Sequence, residues 1–127
     1  MINAQQKEKR ILIIEDDHVY RSVLMSTLRR AGFHCTFCID GDQAIKKLSQ
    51  EKFDLMICDY LLPGTNGIAI IRLARNQGID IPVLLITNYP SELLQVSNKA
   101  LGRTKIMDKV SFPPDDMPKI VQGMLNV

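Results

Sequence analysis

Ile11-Leu12-Ile13-Ile14-Glu15-Asp16-Asp17 is the stretch that decides the fold. A continuous apolar run of this length is what a strand buried on both faces of a parallel sheet requires, and acids follow at once where it ends. Two more such runs lie further on, Leu55-Met56-Ile57-Cys58 and Val83-Leu84-Leu85-Ile86, and each is closed by a polar residue, Asp59 and Thr87. Cys35 to Cys38 and Lys105 to Met107 are weaker, half-polar candidates that suit sheet edges.

Helical spacing fills the intervals. Tyr20, Val23, Leu24, Leu28 and Ala31 share one face, with Asp16 or Asp17 as the cap and Gly32 where a C′ residue belongs. Asp40-Gly41 turns into a short second helix marked by Ala44, Ile45 and Leu48, and Ile70, Ile71 and Ala74 mark a third that ends near Gly78. A fourth is predicted from Ser91, with Leu94, Ser97 and Leu101 inward and Leu93, Val96 and Ala100 toward solvent. Met117, Ile120, Val121, Met124 and Leu125 repeat as a fifth, starting near Pro113-Pro114. Strand and helix alternate throughout, which predicts an α/β fold. It is a doubly wound five-stranded parallel sheet in the flavodoxin-like order 2-1-3-4-5, with helices on both faces.

The 127 residues suit one domain, 9–127, behind a polar tail, 1–8. With 16 basic against 14 acidic residues the net charge is +2, which argues against direct nucleic-acid binding or a basic membrane anchor. No apolar run reaches the roughly 18 residues of a membrane span, and the first ten residues lack a signal-peptide core, so a cytoplasmic location is expected. The cysteine count is odd, at 3, against a secreted disulfide framework. Cys35-x-x-Cys38 has no second pair, and its spacing sends the two thiols to opposite faces of a strand, which reads as packing rather than zinc or redox chemistry.

The polar residues just past the strands are Glu15, Asp16 and Asp17, then Asp59, Thr87 and Lys109. A doubly wound sheet brings all these carboxyl ends to one crevice. Carboxylates crowded there repel one another, and a divalent cation cancels that repulsion. Ligands that are all oxygen select Mg²⁺, or Mn²⁺, over zinc. Asp59 is then a candidate nucleophile for phosphoryl transfer, with the metal, the Lys109 ammonium and the Thr87 hydroxyl available to the equatorial oxygens.

The sequence resembles the receiver domain of bacterial two-component response regulators. The resemblance rests on Ile11 to Asp17, Asp40-Gly41-Asp42-Gln43-Ala44, Asp59-Tyr60-Leu61-Leu62-Pro63-Gly64-Thr65-Asn66-Gly67, Leu85-Ile86-Thr87 and Lys109, and it covers Lys9 to Leu125. It implies that Asp59 is the phospho-acceptor. It also implies that Asp16 binds Mg²⁺ directly and Glu15 through water, and that the Leu61 backbone carbonyl is a further metal ligand. By the same likeness Thr87 moves to meet the phosphoryl group and Lys109 pairs with it. The implied donor is a histidine kinase or phosphotransfer protein. The implied output is a homodimer or partner docking through the fourth helix, fifth strand and fifth helix.

Three positions depart from the family. Ile106 stands where an aromatic residue is usual, Val110 where proline follows the lysine, and Asn88 where a small residue follows the threonine. Ile106 and Val110 support one alternative, a receiver-like interaction module independent of phosphorylation. The intact Glu15, Asp16, Asp59, Thr87 and Lys109 set opposes it. An aspartyl-phosphate hydrolase would need an acid two residues past Asp59, where Leu61 stands.

Overall fold

The computed structural model describes residues 9–93, 101–111 and 113–125. The polar tail 1–8 and most of the expected fourth helix, including Leu94, Val96, Ser97 and Ala100, lie outside the described residues. Five strands, β1 (Arg10–Ile14), β2 (His34–Cys38), β3 (Leu55–Asp59), β4 (Val83–Thr87) and β5 (Thr104–Asp108), form one sheet in the order β2-β1-β3-β4-β5. Every pairing in it is parallel. Three helices, α1 (His18–Arg30), α2 (Gly41–Gln50) and α3 (Gly67–Asn76), and a C-terminal helix, Met117–Leu125, cover it. The expected architecture is the observed one.

The strand residues alternate between two cores. Leu12, Ile14, Met56, Cys58, Val83 and Leu85 pack with residues of α2 and α3, whereas Ile11, Ile13, Leu55, Ile57, Leu84 and Ile86 pack with those of α1 and the C-terminal helix. Two-sided burial is why the central strands are apolar without interruption. Cys35 belongs to the second core and Cys38 to the first, so the C-x-x-C thiols do face opposite ways. All three cysteines are free, and burial pushes the thiols of Cys35 and Cys38 up to about 11, which keeps them protonated.

Side-chain caps start the helices where the strands end. Asp17 accepts from the Val19 and Tyr20 amides at 3.0 and 3.2 Å, Asp40 from Gln43 at 2.8 Å, and Asn66 from Ala69 at 3.0 Å. Asp17 is therefore the cap of α1, leaving Asp16 to face the crevice. Gly32 ends that helix with φ at 100°.

Two features correct the sequence reading. Pro90–Leu93 is a 3₁₀ turn, so Ser91 sits inside it rather than capping a helix. Leu93 was expected near solvent but is buried, packed in the α2/α3-side core that also takes Leu85 and Leu101. Leu93 closes that turn and shares its core with Leu101. Leu93 therefore cannot serve as an exposed docking residue. The second feature was not foreseen: Leu61–Leu62 and Thr65–Asn66 form a small antiparallel hairpin across Pro63-Gly64, with Gly64 at a φ of 73° that disfavours other residues.

Candidate functional site at the carboxyl edge of the sheet

Parallel pairing in register brings the strand ends together. Ile14 lies beside Cys58, Asp59 beside Ile86, and Thr87 beside Asp108. The Glu15 amide donates to the Cys38 carbonyl at 3.0 Å and the Lys109 amide to the Thr87 carbonyl at 2.8 Å, which extends the sheet by one residue on each side of the site. Gly67 presses against the end of β3. Its amide donates to the Tyr60 carbonyl at 2.7 Å, and a Cβ there would stand 2.6 Å from both the Asp59 carbonyl oxygen and Leu85 Cδ1. Glycine is thus required for α3 to dock beside Asp59.

Glu15, Asp16 and Asp59 each offer a carboxylate oxygen, and these oxygens lie within 4.8 Å of one another. Glu15 is wholly buried, Asp59 almost so, and Asp16 exposed. The Lys109 ammonium lies 2.9 Å from Glu15 Oε1 and 3.5 Å from Asp59 Oδ2. Glu15 Oε1 also accepts from the Asp17 amide at 3.1 Å, while Glu15 Oε2 is buried without a partner.

Electrostatics follow from this crowding. Burial, with a contribution from the Asp59 charge, pushes the Glu15 carboxyl up to about 7 despite the Lys109 hydrogen bond. Burial also raises Asp59, against the lowering effect of Lys109. Burial alone would lower Lys109, but its hydrogen bond to Glu15 and the surrounding carboxylates prevail and raise it, so it stays charged. One ammonium is thus set against three carboxylates. The surplus negative charge, the buried unpartnered Oε2 and the purely oxygen donor set fit a hard divalent cation such as Mg²⁺.

Thr87 is buried, and its hydroxyl accepts from the Tyr89 amide at 3.0 Å. Leu61 opens the hairpin, and its side chain and that of Tyr89 are exposed. Ile106 lies opposite Leu85 and is half-buried against the α2/α3-side core; Val110 is exposed, and the described peptide bonds are all trans. Sequence reasoning missed Tyr20, whose ring lies 4.3 Å from the Lys109 ammonium. Its spacing marks it as an inner-face residue of α1 and carries no signal of what crosses over it.

Comparison with known proteins agrees with this geometry. The family model described as the response regulator receiver domain matches residues 11–122. The response regulator receiver protein CpdR of Brucella abortus is 32% identical over 92% of this chain and 97% of its own. The alkaline phosphatase synthesis transcriptional regulatory protein PhoP of Bacillus subtilis is also 32% identical over 92% of this chain, which spans 48% of PhoP. Among solved structures, response regulator TrrA of Thermotoga maritima, in complex with Mg²⁺ and BeF, superposes with a TM-score of 0.80 at 28% identity, covering 91% of this chain and 98% of that one. Chemotaxis response regulator CheY4 of Vibrio cholerae superposes with a TM-score of 0.81 at 27% identity and the same coverage.

The chain belongs to the response regulator receiver domain family, whose members are signalling domains of two-component systems. Among the described residues, no helix is long and apolar enough to cross a membrane.

Proposed function

We propose that this receiver, spanning 9–127, takes a phosphoryl group onto Asp59 and thereby switches its interactions with partner proteins in the cytoplasm. The observation that carries this reading is the convergence of Glu15, Asp16 and Asp59 on one point with Lys109 bridging Glu15 and Asp59. Asp16, Asp59 and the Leu61 carbonyl would hold Mg²⁺ directly and Glu15 through water. The ion would neutralise charge among the carboxylates and the incoming phosphate.

The chain's own groups then have defined tasks. An Asp59 carboxylate oxygen attacks the phosphorus of a phosphohistidine on a histidine kinase or phosphotransfer protein. The P–N bond breaks, and the imidazole, already protonated on its other ring nitrogen, takes the bonding pair and leaves neutral. Lys109 balances the charge added at Asp59. The Thr87 hydroxyl exchanges its bond from the Tyr89 amide for one to a phosphoryl oxygen, which pulls the loop after β4 inward. Burial of Asp59 keeps bulk water from competing with these contacts.

The test is incubation with Mg²⁺ and labelled acetyl phosphate. Wild type should incorporate label and Asp59→Asn should not, because an amide cannot form the acyl phosphate. Asp16→Asn should need far more Mg²⁺. A folded wild type that takes up no label would leave the phosphorylation-independent interaction module as the better reading.

A further inference from the structure

Lys109 is held by more than its ion pairs. Its ammonium meets Glu15 at 2.9 Å, Asp59 at 3.5 Å and the Tyr20 ring at 4.3 Å from the centroid. The Tyr20 hydroxyl is buried with no hydrogen-bond partner among the described residues. Tyr20 is thus in contact with the site through the electron-rich face of its ring.

We propose that Tyr20 is a positioning residue whose ring keeps the Lys109 ammonium within reach of both Asp59 and Glu15. This rests on the reading of Asp59 as phospho-acceptor. A lysine on four flexible carbons has no intrinsic reason to serve two carboxylates at once. With Glu15 alone as its close partner it would collapse onto that buried acid. The ring supplies a third attractive side that is neutral, so it holds the ammonium without adding to the negative surplus of the site. When the Asp59 oxygen is phosphorylated, Lys109 must follow the new charge and still not abandon Glu15 in the interior. A ring face tolerates such a slide, because its attraction is broad, whereas a third carboxylate would trap the ammonium.

The test uses beryllofluoride, a phosphoryl mimic, with Mg²⁺ on the full chain. Tyr20→Leu should weaken beryllofluoride affinity about three- to tenfold, the range expected for a lost cation–π contact at a partly buried site. Tyr20→Phe should stay within about twofold of wild type, since the ring face is kept. Affinity for Mg²⁺ alone should change little in either, because the ring touches the ammonium and not the metal-binding oxygens. A double-mutant cycle on unfolding, with Tyr20→Leu and Lys109→Met in metal-free protein, should show the losses to be less than additive. Tyr20→Met replaces Leu should the latter fail to fold. Full beryllofluoride affinity in Tyr20→Leu, or strictly additive losses in the cycle, would overturn the role of the ring. A folded wild type that binds no beryllofluoride would overturn the phospho-acceptor reading itself, and the positioning role with it.

Discussion

Lys109 Nζ donates to Glu15 Oε1 at 2.9 Å across a sequence separation of 94 residues, inside a site where the acid is wholly buried. The pair joins the end of β1 to the residue after β5, across the β3 and β4 ends that lie between them in the sheet. It leaves the site under-neutralised, because Asp59 draws on the same ammonium at 3.5 Å while Asp16 adds a third carboxylate to the cluster.

The surplus predicts how pH and metal act together. Glu15 has a folded-state pKa raised to about 7, from an ordinary value of 4.5. A raised carboxyl makes the folded state bind the extra proton, so its effect is a loss of stability as pH climbs from about 4.5, complete above about 7. At 1.36 kcal/mol per unit the upper bound is about 3 kcal/mol. A cation held by these oxygens removes that penalty and competes with the proton. Mg²⁺ should therefore raise the melting temperature more at pH 8 than at pH 6. Equal increments at both pH values would show that Glu15 is not part of the metal response.

Gly67→Ala should cost about 1–3 kcal/mol, the usual range for overpacking. The added Cβ meets backbone at Asp59 and a buried leucine, and neither is free to swing aside. The same displacement should slow phosphorylation of Asp59. Denaturant unfolding and acetyl phosphate labelling measure the two effects. A stable Gly67→Ala protein with normal labelling would show that α3 does not need this close approach.

At the opposite edge of the sheet, the Arg75 guanidinium ties chain segments together. It donates to the Leu101 and Ile81 carbonyls at 2.8 Å and to Ile79 at 3.0 Å, and thereby fastens α3 to the segments that lead into β4 and β5. Arg75→Ala should cost about 2 kcal/mol, from carbonyls left with poorer partners. Arg75→Lys should recover less than half, since an ammonium lacks the planar fork. Beryllofluoride affinity should be unchanged, as the site lies at the other end of the strands; a marked loss would mean the two edges are coupled.

The lifetime of the acyl phosphate should be set at Leu61 and Tyr89, two residues past Asp59 and Thr87. Both side chains are exposed, at 55% and 52%, and neither is a carboxylate or amide that would orient a water for attack. Decay should therefore be slow for a receiver. Leu61→Asn should speed it several-fold by offering an amide, and Tyr89→Ala should do so by clearing bulk. Following loss of label from the purified phosphoprotein decides this, and an unchanged rate in both variants would remove these side chains from the account.

Much of this molecule is settled by local chemistry. The uninterrupted apolar runs require strands covered on both faces, and with helical spacing between them that leaves few topologies, so the sheet order was readable from the chain. The acids at the ends of β1 and β3 were readable as a site for the same reason, because parallel strands must end on one edge. What the tertiary structure alone decides is how distant side chains meet. As caps Asp16 and Asp17 are interchangeable by spacing, and it is the folded chain that has Asp17 accept the Val19 and Tyr20 amides while Asp16 joins Glu15 and Asp59 at the crevice. Leu93 ends a 3₁₀ turn and is buried, where helical spacing from Ser91 placed it toward solvent. Tyr20 has the spacing of an ordinary core residue. Its place beneath Lys109 exists only because β5 lies on the β4 side of the sheet while α1 crosses the same face, and contacts between elements so far apart in sequence depend on packing, which no local pattern records.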